Sequence, residues 1–552
     1  MNLKNALFTF LLVFSLITTN LKSQISTEQA FKFNRVMDLI SMFYVDTIAE
    51  QKLVEKAIIS VLKDLDPHSV YISKDDVKEM NEPLNGNFDG IGITYNILND
   101  TAYVISTYHD GPSDKIGIKA GDRIIAIADE NIAGIGIDTR EIKEKLTGRK
   151  GTKIKLKIKR KNTEKVIDFS ITRDKIPINS IDAAYIVNSD IAYIKLNKFS
   201  ATTLQEFEKK AKSLKKEGAK NIILDLRDNG GGYLKTAIDI ADQFLDSKKL
   251  IVYTKGLSSP VSEYYSSSNG SFEDSRLVIL IDEGTASASE IVSGAIQDWD
   301  KGVIIGRRSF GKGLVQRPFY LMDGSMIRLT IARYYTPTGR LIQKTYEVGF
   351  DNYNSEIYQR LKNGELFNAD SIHFADSLKF ITLNNKRTVY GGGGIMPDIF
   401  VSADTTNFPS FYKKIIRNGI LYEFILNKID NNRENLLKKH PNFDSFKNNF
   451  IVDEQILKEA FEFCVINELE NNLSDEKLLA IDDSESLEMY NKFEDYNFNN
   501  LYIKNHIKAL IARDLWGTEE FYQIINLTDK TLLKAINVIN DKKLYNTILS
   551  YN

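Results

Sequence analysis

Residues 276–298, RLVILIDEGTASASEIVSGAIQD, join a continuous apolar run to a helical pattern through a turn of small residues. A run such as LVILI has the composition of a strand that is buried on both faces, as strands of a parallel sheet are. The apolar positions after the turn recur at the spacing of a helix. The stretch therefore predicts a strand that leads directly into a helix, which is the repeating unit of an α/β fold.

The same alternation surrounds this stretch. Strand patterns at IAYIKLN, NIILDLR and LIVYTKG alternate with helical patterns at TLQEFEKKAKSLKKEG and LKTAIDIADQFL. Such alternation predicts right-handed crossovers and a mainly parallel sheet with helices on both faces. Because ligands of these sheets bind at the carboxyl ends of strands, we expect the functional residues in the turns DNGGG and EGTASASE.

Bulk composition excludes several classes of protein. The 552 residues are too many for a single core, and 43% apolar with 26% charged residues is typical of globular domains. Seventy-two basic residues nearly balance 74 acidic ones, so no net field directs the chain to nucleic acid or an anionic membrane. The single cysteine, Cys464, excludes an internal disulfide and a thiolate metal cluster. Its apolar neighbours predict a buried structural thiol.

The first residues, MNLKNALFTFLLVFSLITTNLKSQ, have a basic Lys4 followed by an apolar stretch from Ala6 to Ile17. A helix that crosses a bilayer needs about 20 apolar residues, so this stretch is short for a membrane anchor and suits a signal peptide. We predict that residues 1–23 are a signal peptide and that the protein is exported to the periplasm or cell envelope. An uncleaved anchor is the alternative.

The pattern divides the remaining chain into four parts. Residues 24–81 have helical spacing, residues 82–173 are short β-rich runs broken by glycine, and residues 174–404 form the α/β core. Residues 405–552 show helical spacing without a functional motif. This last part could mediate a homo-oligomer, bind an adaptor protein or pack on the core.

The turn EGTASASE carries two candidate nucleophiles, Ser287 and Ser289. A serine at the N-terminus of the helix that begins near Ala288 would gain from the helix dipole, which favours negative charge there. The triple glycine after the strand NIILDLR can present bare N–H groups, as an oxyanion hole requires. The alternative is structural: the serine caps the helix, and the glycines form a turn.

A serine nucleophile needs a base. None of the five histidines follows a strand end of the α/β region, which argues against a Ser-His-Asp triad. A neutral lysine can replace histidine where burial disfavours the ammonium form. Lys312, in RRSFGKGLVQRPF, lies between two glycines at the start of an apolar strand, and Gln316 would share its face of an extended segment. A surface lysine in a glycine-rich turn is the alternative.

The motifs TASASEIVSGAIQD and GRRSFGKGLVQ resemble the signature of the C-terminal processing peptidases, the tail-specific serine–lysine proteases. The resemblance extends from about Thr27 to Asp404. It implies a multidomain α/β protein, in which an α/β-sheet serine protease core contains an inserted PDZ domain and is followed by a helical C-terminal tail. Further similar segments are LDPHSVYIS (65–73), LDLRDNGGGYL (224–234), ARYYTPTGRLIQ (332–343) and GGGGIMPDIFV (391–401).

The resemblance implies roles for individual residues. Ser287 would be the nucleophile, Lys312 the general base and Gln316 the residue that holds the lysine. The N–H groups of Gly231 and Ala288 would form the oxyanion hole. The family's Asn-Pro-Gly-Gly is Asn-Gly-Gly-Gly at residues 229–232, so the proline is lost and the glycines are kept. Neither a metal nor a cofactor is implied, and His68, far from the serine and lysine in sequence, is interpreted as structural.

The segments FDGIGI (88–93) and GPSDKIGIKAGDRI (111–124) resemble a PDZ domain. This implies a carboxylate-binding loop at Gly90, Ile91, Gly92 and Ile93, next to an edge strand that can pair with a peptide. The implied function is a serine endopeptidase that cleaves proteins or peptides recognised through a free C-terminal tail. One alternative is a catalytically inactive PDZ adaptor that binds peptides. Another is an esterase or amidase, against which the PDZ domain argues.

Overall fold

The computed structural model describes residues 26–550 apart from residues 99, 162, 268–269, 348, 404–409 and 471–499. The chain divides into two compact units, Met1–Tyr71 and Ile72–Asn552. The predicted signal peptide, residues 1–23, lies outside the described residues. Among the helices that are described, none is long and apolar enough to cross a bilayer.

The first unit contains the two predicted helices, α1 (Thr27–Phe43) and α2 (Glu50–Lys63). Ser26 caps α1 by accepting the N–H of Gln29. In the turn after α2, the Asp66 carboxylate accepts the N–H groups of His68 and Ser69 at 2.8 and 2.9 Å. This side chain fixes the turn that leads to β1 (Val70–Ile72).

The second unit begins with a helix and the β-rich domain that the sequence predicts. The domain is an antiparallel sheet in the order β3-β4-β5-β7-β8, with β6 on β5 and a separate pair of β2 with β9. Its core includes Val104, Ile124 and Ile142. Strand β3 lies at the edge of the sheet. The elements are α3 (Lys74–Asn85), β2 (Asn87–Gly90), β3 (Ile93–Leu98), β4 (Thr101–Thr107), α4 (Pro112–Lys115), β5 (Arg123–Ile127), β6 (Glu130–Asn131), α5 (Thr139–Leu146), β7 (Lys153–Lys159), β8 (Ile167–Thr172) and β9 (Asp174–Pro177).

The α/β core is a six-stranded sheet in the order β10-β11-β12-β15-β16-β21. Only β10 is antiparallel to its neighbour, so the prediction of a mainly parallel sheet is confirmed. The elements are β10 (Ile181–Asn188), β11 (Ile191–Leu196), α6 (Thr203–Lys216), β12 (Asn221–Asp225), α7 (Leu234–Asp242), β13 (Leu250–Lys255), β14 (Ser262–Tyr265), β15 (Leu277–Ile281), α8 (Ala288–Asp298), β16 (Gly302–Gly306), β17 (Leu314–Tyr320), β18 (Met326–Tyr335), α9 (Phe350–Lys362), β19 (Lys379–Ile381), β20 (Thr388–Tyr390) and β21 (Ile399–Phe400), with 3-10 turns at Ala369–Ser371 and Asp376–Leu378.

The strand LIVYTKG, which the sequence places within the βα alternation, is not part of the parallel sheet. It forms β13, which pairs antiparallel with β14 and β18, and β18 pairs in turn with β17. Strand β13 therefore lies between β14 and β18 in a second sheet. This second sheet carries β17, so it contributes a wall to the site described below.

The described residues after 409 form helices, which confirms the predicted helical C-terminal region. Helices α10 to α15 share an apolar core that contains Cys464, which is fully buried as predicted. The helices are α10 (Ser410–Arg417), α11 (Ile420–Lys439), α12 (Phe443–Asn449), α13 (Glu454–Glu470), α14 (Leu501–Leu515), α15 (Thr518–Ile525), α16 (Lys530–Asn540) and α17 (Lys542–Leu549), with a 3-10 turn at Asn526–Thr528.

The last two helices belong to the packing of the α/β core. Helices α6, α7 and α8 cover one face of the parallel sheet. Helices α16 and α17 cover the other, where Leu532 and Val538 pack against Tyr193 and Val278. The Tyr545 hydroxyl lies 3.0 Å from the carbonyl oxygen of Leu277. The core therefore extends beyond residue 404, where the sequence analysis ends it.

Candidate active site

Ser287 lies in the turn between β15 and α8, at the carboxyl edge of the parallel sheet. Its φ of +55° and ψ of −113° are uncommon for a residue with a side chain, and such strain occurs where a turn positions a functional group. A serine on a sharp turn between a strand and a helix is the arrangement of a nucleophile elbow. Ser287 lines a cavity of about 450 Å³.

Lys312 and Gln316 line the same cavity. Lys312 lies in the loop between β16 and β17, and its Nζ donates a hydrogen bond to Oε1 of Gln316 at 3.1 Å. The register of β17 against β18 shifts between Val315 and Gln316. The contact expected between the lysine and the glutamine is present, and the structure brings both to the cavity of Ser287.

Glu290, which the sequence analysis did not single out, connects the serine turn to the lysine loop. Its side chain is fully buried. One carboxylate oxygen accepts the backbone N–H groups of Ser287 at 2.8 Å and Lys312 at 2.9 Å. The other accepts the Ser309 hydroxyl at 2.5 Å and the Gly311 N–H at 2.7 Å. Burial raises the pKa of this carboxyl, and the four hydrogen bonds oppose that shift by stabilising the charged form.

Tyr334 of β18 joins the same two segments from the other side. Its hydroxyl lies 2.6 Å from the carbonyl oxygen of Lys312 and 3.0 Å from that of Ser287. The ring is buried, and burial followed by the charge of Glu290 raises the pKa of the phenol well above its usual value. The hydroxyl therefore remains a donor at neutral pH. The backbones of the serine and the lysine are thus held by two buried side chains.

The triple glycine lies against the serine turn, as the predicted oxyanion hole requires. Gly231 has a φ of +98°, and a Cβ there would lie 2.9 Å from both the Ala286 carbonyl oxygen and the Ala288 nitrogen. Only glycine fits this approach. The Ala288 N–H, at the first position of α8, makes no hydrogen bond within the part of the chain that is described.

The structure differs from the expectation for the Gly231 N–H. The Gly231 N–H donates a hydrogen bond to Oδ1 of Asn229 at 2.9 Å. The Asn229 side chain is itself fixed, because its amide nitrogen donates to the Leu196 carbonyl at 2.8 Å. In this arrangement the Gly231 N–H is therefore already satisfied, and Ala288 alone of the two predicted donors is available to a ligand.

The predicted carboxylate-binding loop lies between β2 and β3. Gly92 has a φ of +73°, and its carbonyl accepts the N–H of Tyr108 at 3.1 Å. The Ile91 carbonyl accepts the Ser113 hydroxyl at 2.7 Å. Both isoleucines of the loop, Ile91 and Ile93, are buried, so the loop is anchored in the core of the β-rich domain. Gly90, the remaining predicted residue, ends β2.

Tyr95 connects β3, the edge strand of the β-rich domain, to the neighbouring helix α5. From β3, its hydroxyl donates to the Thr139 carbonyl at the start of α5 at 3.0 Å. Burial, then the charge of Asp138, raises the pKa of Tyr95 to about 12, so it is neutral at pH 7. A peptide that enters between β3 and α5 must displace or pass this side chain.

Comparison with known families agrees with these domains. The sequence profile of peptidase family S41 matches residues 190–351, and that of the PDZ domain matches residues 90–171. The profile of the activating protease CtpB N-terminal domain matches residues 15–76. Residues 411–517 match a family of unknown function, DUF8443.

Individual relatives are similar over most of their length. A carboxy-terminal-processing protease of Bartonella bacilliformis is 37% identical over 332 residues, which are 59% of this chain and 75% of that protein. The carboxy-terminal processing protease CtpB of Bacillus subtilis is 30% identical over 64% of this chain and 72% of that protein. Among solved structures, the photosystem II D1 C-terminal processing protease is 24% identical over 57% of this chain and 90% of that one, with a TM-score of 0.32.

Proposed function

The chain belongs to the carboxy-terminal processing proteases of peptidase family S41, a serine protease family, and we propose that Ser287 and Lys312 are its catalytic dyad. The observation that carries this proposal is the shared cavity, in which Lys312 is held by Gln316 at 3.1 Å and Ser287 lies on a strained turn. The Gln316 amide is neutral, so this hydrogen bond orients the amine without adding a negative charge beside it.

In the proposed reaction, Ser287 Oγ attacks the carbonyl carbon of the scissile peptide bond while Lys312 Nζ, uncharged, accepts the hydroxyl proton. The tetrahedral intermediate collapses, the C–N bond breaks, and the Lys312 ammonium returns the proton to the leaving amine. Water then attacks the acyl-enzyme with Lys312 again as base, which releases the acid product and restores Ser287. Gln316 orients the amine throughout by its hydrogen bond.

We assign the Ala288 N–H as an oxyanion donor, because it begins α8 beside the nucleophile and makes no other hydrogen bond in the described residues. Gly231 stays the second donor in this proposal. Its N–H would be shared between the Asn229 oxygen and the substrate oxygen, or released to the substrate when the loop moves. A single donor of this kind typically contributes about 2.7–4 kcal/mol to the transition state.

Substrate recognition is proposed to begin at the PDZ domain. A free C-terminal carboxylate would bind the loop Gly90–Ile93, and the residues before it would pair with the edge strand β3. None of these four loop residues lines the cavity of Ser287. The tail and the cleaved bond therefore lie at separate places on the enzyme, and the substrate must be an extended or unfolded segment that reaches both.

Labelling and cleavage together test this function. A fluorophosphonate should label the wild-type chain at Ser287 and leave Ser287→Ala unlabelled. Peptides with a free C-terminus should be cleaved faster than the same peptides with an amidated C-terminus. Absence of labelling would favour an inactive adaptor, and equal cleavage of free and amidated peptides would remove the PDZ loop from recognition. Faster hydrolysis of simple esters than of every peptide would favour an esterase.

We also propose export to the periplasm or cell envelope, supported by the pattern of residues 1–23. N-terminal sequencing of the protein purified from an envelope fraction tests this. A start near residue 24 supports a cleaved signal peptide, and an intact Met1 in a membrane pellet supports the anchor. A homo-oligomer or a bound adaptor at the C-terminal helical region stays a prediction, which size measurement in solution checks.

A further inference from the structure

A second cavity, of about 530 Å³, lies between the PDZ domain and the helical region. Thr94 and Asn96 of strand β3 line it on the PDZ side. On the helical side it is lined by Tyr422 of α11, Arg513 of α14 and Phe521 of α15. Because β3 is the edge strand of the PDZ sheet, the second cavity borders the strand to which a substrate tail is proposed to add.

Side chains along β3 alternate between two environments. Tyr95 and Ile97 pack against the apolar core of the PDZ domain, whereas Thr94 and Asn96 are exposed and line the second cavity, which Tyr95 also borders. The side chains of a peptide that pairs with β3 must alternate in the same way. If the last side chain of the tail enters the PDZ groove, the penultimate residue and the residue two positions before it face the second cavity.

The walls of the second cavity are fixed before a peptide arrives. Helix α11 covers the outer face of the PDZ sheet, where Leu426 packs with Tyr103 and Ile105. On the same helix, the Asp430 carboxylate accepts hydrogen bonds from Arg123 at 2.7 Å and from the Tyr103 hydroxyl at 3.1 Å. A preformed cavity lowers the ordering cost of binding, so its contacts contribute to affinity.

Arg513 gives the second cavity its charge. Among the described residues that line it, Arg513 is the one with a permanently charged side chain. Its Nε donates to Asp514 at 3.3 Å, and its guanidinium carbon lies 4.4 Å from the centre of the Tyr422 ring. The Tyr422 hydroxyl hydrogen-bonds with the Arg513 side chain and donates to Oδ1 of Asp514 at 3.3 Å. Asp514 and Tyr422 thus fix the plane of a guanidinium whose remaining donors suit a carboxylate.

We propose that the second cavity binds the side chains of the penultimate tail residue and of the residue two positions before it, and that Arg513 selects an acidic side chain at one of them. The inference rests on the proposed docking of a free C-terminus on the PDZ loop. It assigns a role in substrate selection to the helical region at residues 411–517, which matches a family of unknown function.

The test uses the full-length Ser287→Ala chain, which binds without cutting, and fluorescence anisotropy. The probes are labelled ten-residue peptides of glycine and serine that end in a free valine and carry alanine, glutamate or lysine at either of the two positions. Each of the two positions gives one series of three peptides. In at least one series, the glutamate peptide should bind roughly fivefold or more tightly than the lysine peptide, as expected for one charge-assisted hydrogen bond. Arg513→Gln should remove this difference, and Arg513→Glu should reverse it. Lys439→Gln, which removes an exposed charge elsewhere on the helical region, should preserve it.

Two results separate this inference from the proposed function. If free-carboxylate peptides bind and amidated ones do not, yet glutamate and lysine bind equally in both series, the selection by Arg513 is wrong and tail docking stands. If free and amidated peptides bind alike, tail docking fails and the inference fails with it.

If Arg513→Gln does not fold, a second variant tests the same inference: Asn96→Trp places a large side chain in the second cavity from the exposed strand β3. Asn96→Trp should lower the affinity for the glutamate peptides and leave unchanged the affinity for an added control peptide with glycine at both positions. An equal effect on all peptides, or no effect on any, would overturn the proposal.

Discussion

The buried carboxylate of Glu290 accepts the backbone N–H of Lys312 at 2.9 Å. The same oxygen accepts the N–H of Ser287 at 2.8 Å, so the two proposed catalytic residues are held through one atom that belongs to neither. Glu290 is a positioning residue in this account. Its contacts with Ser287 and Lys312 are with their backbone N–H groups, so it fixes where the serine and lysine segments lie and leaves their side chains to the substrate.

Glu290→Gln should inactivate the enzyme while the chain still folds. An amide has one acceptor oxygen, so its NH₂ group would meet two of the N–H or O–H donors that the carboxylate now satisfies, and each unsatisfied buried donor costs about 1–3 kcal/mol. We expect kcat to fall by about 100-fold or more, with a lower melting temperature and a smaller change in KM. Glu347→Gln, at an exposed position, is the matched control. Wild-type kcat in Glu290→Gln would contradict the positioning role.

Gly231→Ala should abolish turnover because a Cβ at this position would lie 2.9 Å from backbone atoms of Ala286 and Ala288. Gly117→Ala is the control, since Gly117 also has a positive φ, of +88°, but no atom within 4 Å of the added Cβ. In both variants the alanine must adopt a left-handed backbone conformation, which lowers the free energy of unfolding by about 1–2 kcal/mol. Peptide cleavage assays should show loss of activity in Gly231→Ala and not in Gly117→Ala. Equal activity of the two variants would contradict the close approach of Gly231 to the serine turn.

Tyr95→Phe should strengthen the binding of peptide tails. The wild-type hydroxyl is bonded to Thr139 across the gap between β3 and α5, and a peptide that enters there breaks this bond. A hydrogen bond of this kind contributes about 0.5–1.5 kcal/mol net, which corresponds to roughly a twofold to twelvefold gain in affinity. Anisotropy titration in the Ser287→Ala background measures it, with Tyr265→Phe as an exposed control. Weaker binding by Tyr95→Phe would show that the hydroxyl contacts the peptide instead.

The helical region should lose stability in mild acid. Burial, then the charge of Arg513, lowers the pKa of His506 from 6.5 to about 4. Between pH 6.5 and 4 the unfolded chain therefore binds a proton that the folded chain does not, so the free energy of unfolding falls as pH decreases through this window. The loss is about 3 kcal/mol by pH 4. Denaturant unfolding at several pH values should show it, and His506→Gln should flatten the dependence, whereas His109→Gln, at an exposed position, should not.

Sequence patterns were sufficient for the residues that lie on short motifs. Ser287, Lys312 and Gln316 were predicted from strand ends, glycine placement and family resemblance, and the structure brings them to one cavity. Glu290 was missed because its partners Ser309, Gly311 and Lys312 are about twenty residues away, although a glutamate three residues after a helix-capping serine is a local signal. The satisfied Gly231 N–H was not predictable, since it depends on the rotamer of Asn229.

For the fold too, local features could be predicted from the sequence and contacts between distant segments could not. Local periodicity predicted most strands and helices, but it does not state which apolar stripe meets which surface. Helix α16 has an amphipathic pattern, and only the structure shows that its stripe covers Tyr193 and Val278 of the core sheet. Strand β13 likewise has the composition of a parallel strand, and the β18 residues with which it pairs antiparallel, such as Tyr334 opposite Thr254, are some eighty residues later in the chain.

The central claim is that Lys312 is the base for Ser287, and the most direct test is the kcat/KM of a cleaved peptide for Lys312→Ala against wild type across pH. Wild-type kcat/KM should rise with pH through the ionisation of one group, and Lys312→Ala should lose at least about a thousandfold at every pH while its circular dichroism spectrum and binding of the peptide are unchanged. A folded Lys312→Ala that cleaves at the wild-type rate, with the same pH profile, would contradict the claim.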